Sequence, residues 1–171
     1  MRKAPTRTAA LISRVRPLID ASAYVRGTFC PVIDPREQKP SIFPPEIPCI
    51  VATLPAGDIS LFTFETRVAL DRKAADDLAR CLTSDEPRFE RMLTKLSSYE
   101  FAAILIEASL AEIHRHDYRS QVSPAFLISK ATSITMRHGV PVYFCGTHEH
   151  TTDLALRLLK SFWRNQGQVA A

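Results

Sequence analysis

Apolar and polar positions change period several times along the chain, and each change marks an expected element. Residues 30–34 are a short apolar run closed by Pro35, as a strand would be. Pro40, Pro44, Pro45 and Pro48 make residues 39–48 loop or extended chain. Ile50, Ala52 and Leu54 alternate with smaller or polar neighbours as a second strand, and Pro55-Ala56-Gly57 is turn chemistry. Residues 59–64 and 67–72 read as two further strands joined tightly around Glu65-Thr66.

From Lys73 the pattern takes the helical period and keeps it to about Leu82. Ser84 is the expected cap of the next helix, with Asp85, Glu86 and Pro87 in its first turn and Phe89, Met92, Leu93 and Leu96 on one stripe. Residues 101–107 hold the longest apolar run and read as a strand buried on both faces. A short helix is expected over 110–115, then a helix capped by Ser123-Pro124 that runs to His138 and stops at Gly139. Residues 140–145 are another strand, and a last helix covers 148–163 with Leu154, Leu158 and Phe162 inward. Antiparallel strands followed by strand–helix alternation imply a mixed sheet between helix layers.

Composition narrows the class. A hydrophobic content of 46% in 171 residues suits one core. No run approaches the ~18–20 apolar residues that span a bilayer, so no membrane role is expected. Cys30, Cys49, Cys81 and Cys145 form no CxxC pair and no secretory signal is visible, which points to reduced thiols in a cytoplasmic setting. Cys30 and Cys145 read as small core residues.

The net charge of +4 allows a polyanionic partner without requiring one. Arg2, Lys3, Arg7, Arg14 and Arg16 precede the first acid, Asp20. They read as a basic arm that touches phosphates, a transit segment or a tail with no role. The expected organisation is an arm over 1–28, one domain over 29–165 and a short tail over 166–171.

The informative chemistry is Gly57-Asp58 and Asp71-Arg72-Lys73. Side chains alternate along a strand, so Asp71 and Lys73 project from one face and Arg72 from the other, while Asp58 can meet Asp71 across the hairpin. Two carboxylates beside an ammonium suit phosphodiester hydrolysis. The acids hold a hard cation, and the lysine orients or deprotonates water or offsets charge in the transition state. The same spacing also fits a solvated strand end with an incidental ion pair.

The chain resembles the XPF-type nuclease domain of structure-specific endonucleases. That family's core motif is Gly-Asp, a spacer, Glu-Arg-Lys, three residues and Asp. Here Gly57-Asp58 is followed by Asp71-Arg72-Lys73, Ala74-Ala75-Asp76 and Asp77-Leu78. Val32-Ile33-Asp34-Pro35-Arg36-Glu37 is similar to the family strand ending in Asp-x-Arg-Glu. Arg88-Phe89-Glu90-Arg91 resembles the helix after the motif, and Ile104-Leu105-Ile106-Glu107 the buried strand that closes in glutamate. Asp71 stands where the family has Glu, and no tandem helix-hairpin-helix module is visible.

The resemblance implies a three-layer α/β/α restriction-endonuclease-like fold and an Mg²⁺- or Mn²⁺-dependent DNA endonuclease with no organic cofactor. A bacterial or phage setting, branched DNA in recombination or repair, and a homodimer are the expected context. Asp58, Asp71 and Lys73 are the expected catalytic residues, with Asp34, Asp58 and Asp71 on the metal. Asp34 has an alternative role in holding Arg36. Arg36, Glu37, Arg72 and Asp77 are expected in support, Asp77 through a pair with Lys73 or Arg72 or as a first-turn charge.

Arg88, Arg91 and Lys95 share a helical stripe suited to DNA phosphates; Arg157, Lys160 and Arg164 read as a solvated face. His114, His116, His148 and His150 are read as surface or capping residues, since i, i+2 pairs diverge on a helix. The alternative function is a catalytically inactive DNA-binding or assembly subunit.

Overall fold

Strands Pro31–Ile33 (β1), Ile50–Val51 (β2), Ile59–Leu61 (β3), Val68–Ala74 (β4), Phe101–Glu107 (β5) and Val142–Phe144 (β6) pair into one mixed sheet of order β2-β1-β3-β4-β5-β6. The computed structural model describes residues 7–13, 18–24 and 26–168. β3 runs antiparallel to both β1 and β4, while the β1–β2, β4–β5 and β5–β6 pairs are parallel. β1, β4, β5 and β6 therefore end at one edge of the sheet, where β3 begins. Ligands of open α/β sheets bind beyond such carboxyl ends.

Alternation along β4 and β5 builds two cores. Ala69, Ala102, Ile104 and Ile106 face a layer made by Ala75–Cys81 (α2), Glu86–Leu96 (α3), Leu110–His114 (α4) and Pro124–His138 (α5), which contributes Leu78, Phe89, Leu93 and Leu127. Val68, Leu70, Ala103 and Leu105 face His148–Gln168 (α6) through Ala155, Leu159 and Phe162. This is the expected three-layer arrangement. Each fully buried aliphatic side chain stabilises it by about 1.5–3 kcal/mol relative to exposure.

Several boundaries differ from the sequence expectation. The strand does not give way to helix at Lys73, because parallel pairing with β5 continues to Ala74 opposite Glu107. β2 stops at Val51, and Leu54 instead donates its N–H to the Asp34 carboxylate. β3 ends at Leu61, before the turn in which Thr63 takes φ 72°. The residue before α3 is Asp85 rather than Ser84, and its side chain makes no capping bond. β6 shortens to Val142–Phe144.

On α6 the expected Phe162 is buried and Leu154 and Leu158 pack half-buried against the same core, with Ala155, Leu156 and Leu159 buried beside them. Within the segment read as an arm, Arg7–Ser13 (α1) is helical and buries Ile12 in the α6-side core. Arg2, Lys3, Arg14 and Arg16 lie outside the described residues. None of the four cysteines forms a disulfide. No helix among the described residues is long and apolar enough to cross a membrane.

Candidate active site

Gly57 sets the entry into β3. It sits at φ +72°, and a Cβ there would lie 2.8 Å from the Leu70 carbonyl oxygen. That same oxygen accepts the Asp58 N–H at 2.8 Å. Only glycine permits this approach and this backbone region together. Gly57→Ala is therefore expected to lower stability by about 1–3 kcal/mol and to displace Asp58. Urea denaturation beside a nuclease assay checks this, and unchanged values in both would refute it.

Asp58 turns its Oδ2 onto the Arg72 N–H at 2.7 Å, which locks the start of β3 against the end of β4. Asp71 and Lys73 share the α2–α3 face, and Lys73 Nζ lies 2.8 Å from Asp71 Oδ2. The ammonium lies over the Phe89 ring, 5.6 Å from its centroid. Despite the ion pair, the buried Oδ2 of Asp71 has no well-aligned hydrogen bond.

Burial raises the Asp58 pKa to about 8; the Asp71 charge adds to the rise, and the Arg72 N–H opposes it. For Lys73, burial favours the neutral amine, but the Asp71 charge and contact, with a contribution from Asp58, outweigh it and raise the pKa. Lys73 is accordingly a firm cation.

Asp34, expected on the metal or in holding Arg36, is buried with donors on both carboxylate oxygens. Its oxygens accept Arg36 Nε at 2.8 Å, Arg36 Nη2 at 2.6 Å, the Arg36 N–H at 2.8 Å and the Leu54 N–H at 2.8 Å. Burial would raise its pKa, but Arg36 and the two backbone donors lower it overall. These four donors tie Arg36 and Leu54 to the Asp34 carboxylate, the contacts that the Arg36-holding alternative calls for. Among the described residues no group of three acids, histidines or cysteines is arranged to hold a metal.

On the opposite face, Arg72 lies between two acids. Its Nη2 is 2.5 Å from Glu37 Oε1 and its Nη1 2.8 Å from Glu107 Oε2, all three side chains being about nine-tenths buried. Glu107 also contacts His148 Nδ1 and lies 3.5 Å from Lys39 Nζ. Burial opposes ionisation of Glu107, but His148, Arg72 and Lys39 together lower its pKa.

Sequence reading placed Glu107 on its strand but not in this cluster, and left His148 at the surface. Alternation offered one signal, since Glu107 shares the Leu105 face of a buried strand and must find a cation there. Nothing local points from His148 to a partner 41 residues away.

Asp77 pairs with the exposed Arg80 at 2.6 Å rather than with Lys73 or Arg72, and stands in the first turn of α2. Arg88 is 3.7 Å from Asp85 and largely exposed, and Arg91 is exposed. Lys95 donates to the Pro55 carbonyl at 2.7 Å and so ties α3 to the loop that carries Gly57.

The ERCC4 domain model matches residues 33–158. The structure is similar to that of XPF from Aeropyrum pernix, with TM-score 0.61, 19% identity, and coverage of 82% of this chain and 68% of that one. A second similar structure is XPF from the same organism in complex with DNA, with TM-score 0.59, 20% identity, and coverage of 82% and 66%. No curated protein matches the sequence.

Proposed function

The chain belongs to the ERCC4 domain family, and from that premise we propose that it is a metal-dependent DNA endonuclease acting at Asp58, Asp71 and Lys73. One arrangement carries the reading most: the buried Asp71 carboxylate, paired with Lys73 at 2.8 Å, acts on a second acid, Asp58, whose pKa burial and the Asp71 charge raise to about 8. A divalent cation between them would favour the ionised form of Asp58. The donor set fits Mg²⁺ or Mn²⁺, since Mg²⁺ is commonly held by one or two carboxylates with water and substrate phosphate completing its shell.

A divalent ion bound there would acidify water and offset charge on the phosphate. Asp58, fixed by the Arg72 N–H, and Asp71, fixed by β4 pairing, hold their carboxylates in place before substrate arrives. Lys73 stays protonated and so is suited to orient water or stabilise negative charge rather than to remove a proton. Asp34 and Arg36 brace the loop on one side, and Glu37, Arg72 and Glu107 brace the strand ends from below.

DNA as partner is supported by the DNA complex of the similar XPF structure. The same resemblance extends the proposal to branched substrates, to recombination or repair and to a homodimer. Labelled flap, fork, four-way and plain duplex DNA, each with and without Mg²⁺, tests the reading. Cleavage only with the metal supports it, and no cleavage of any substrate would defeat it.

Arg88 and Arg91 are the proposed phosphate contacts on α3. Replacing both with Ala is expected to weaken binding equally for unrelated sequences, because phosphates carry no base information. The slope of log K against log salt should shrink by roughly 0.9 per lost contact on duplex DNA. Titration of one fluorescent duplex at several salt concentrations reports this. An unchanged slope would return both arginines to a solvated helix face.

A further inference from the structure

The loop between α4 and α5, residues 115–122, lies at the same sheet edge as the carboxylate pair. β4 and β5 run in parallel and place Lys73 and Glu107 at that edge. Chain leaving β5 passes through α4 and returns against the first turn of α2. There Asp76 Oδ1 accepts the Arg119 N–H at 2.9 Å and the Ser120 N–H at 2.8 Å. Asp76 is three residues beyond Lys73, so this bond set fixes the loop beside the proposed centre.

The loop is also braced from within. His116 takes φ 61°, an uncommon region for a residue with a Cβ. Its Nε2 is 2.7 Å from the Ser120 carbonyl, and its ring stacks on Tyr118 at 4.3 Å and 26°. Tyr118 Oη donates to the Val122 carbonyl at 2.7 Å. An exposed loop this constrained has conformational freedom removed in advance, which is what a binding surface gains from preorganisation.

Its exposed side chains include the His116 imidazole and the Arg119 guanidinium. His116 is exposed, and the Arg119 side chain is 94% exposed with Asp76 Oδ2 at 3.3 Å. A surface pair of that kind holds a cation weakly, so Arg119 can meet another anion. Arg115 is also at the surface, paired more closely with Asp117 at 2.9 Å.

We propose that this loop is a docking platform for single-stranded DNA, with a base stacked on the His116–Tyr118 pair and a phosphate at Arg119. The inference rests on the nuclease reading and refines its substrate. Bases in a duplex hide their faces in the stack, whereas unpaired bases offer them to an aromatic ring whatever their sequence. A platform beside Lys73 would hold the unpaired arm of a branched substrate next to the carboxylates.

The test compares a fluorescent oligothymidylate with a duplex of equal length, using wild type, His116→Ala, Arg119→Ala and Asp76→Ala. His116→Ala is expected to weaken oligothymidylate binding on the order of tenfold, as loss of one base stack does, Arg119→Ala to weaken it through loss of a phosphate contact, and both to leave duplex binding in place. Asp76→Ala should reproduce the loss by releasing the loop. Because His116 and Arg119 are exposed, their variants keep the proposal falsifiable should Asp76→Ala fail to fold.

Unchanged oligothymidylate affinity in both loop variants overturns the platform, as does parallel loss for the two DNAs or no oligothymidylate binding by wild type. If wild type cleaves branched DNA in the same preparations, the nuclease reading survives that outcome. Loop-dependent binding without cleavage of any substrate leaves the platform and removes the nuclease.

Discussion

Asp71→Asn is expected to lower cleavage by a hundredfold or more while DNA binding persists, a loss on the order of that caused by removing one preorganised electrostatic group from an active site. The side chain keeps its volume, so the change is confined to charge. Asp71 is 4% exposed and within 2.8 Å of Lys73, so the substitution removes the anion that holds the lysine as well as a proposed metal ligand. Asp71→Glu restores the carboxylate one methylene further out and should retain measurable activity. Single-turnover cleavage, with affinity measured separately, distinguishes the variants. Equal rates for wild type and Asp71→Asn would place the chemistry elsewhere.

The largest effect on stability is expected from Arg72→Met. Glu37 and Glu107 converge on this one guanidinium in a site where all three side chains are about 10% exposed. Removing the cation leaves two acids close together and poorly solvated, a loss of about 3–5 kcal/mol for a broken buried pair. Replacing the acids as well, in Arg72→Met with Glu37→Gln and Glu107→Gln, should recover part of it, because the uncompensated charge is then gone. Urea denaturation of the single and triple variants measures both values. A single variant as stable as wild type would show that the network contributes nothing net, with Lys39 and His148 sufficient for Glu107.

The sheet and the carboxylate pair were legible because they follow from alternation. Period two carried through residues 71–73 separates Asp71 and Lys73 from Arg72, and the structure keeps that division down to the opposite cores. The tight Gly57-Asp58 turn was legible from residue type alone. Asp34 was not settled, because Arg36 and the distant Leu54 N–H compete for its oxygens and only the folded loop brings all four donors to them.

Asp77 looked toward Lys73 while the helix was expected to begin there. The strand runs to Ala74, which changes the direction of every residue that follows. On α6 the expected Leu154, Leu158 and Phe162 all pack on the core, but leucines occupy two adjacent stripes, and Leu156 and Leu159 are buried more deeply than Leu154 and Leu158. His148 and the 115–122 loop depend on contacts across the sheet edge, for which a local pattern carries no signal.

Mn²⁺ binding followed by electron paramagnetic resonance tests the central claim without relying on activity. Wild type should take up the ion with a stoichiometry that Asp58→Asn and Asp71→Asn both abolish or sharply weaken, while Asp34→Asn, if it remains folded, should bind Mn²⁺ as wild type does because its carboxylate is engaged by Arg36 and Leu54. Equal Mn²⁺ uptake by wild type, Asp58→Asn and Asp71→Asn would contradict the assignment of the metal to this pair.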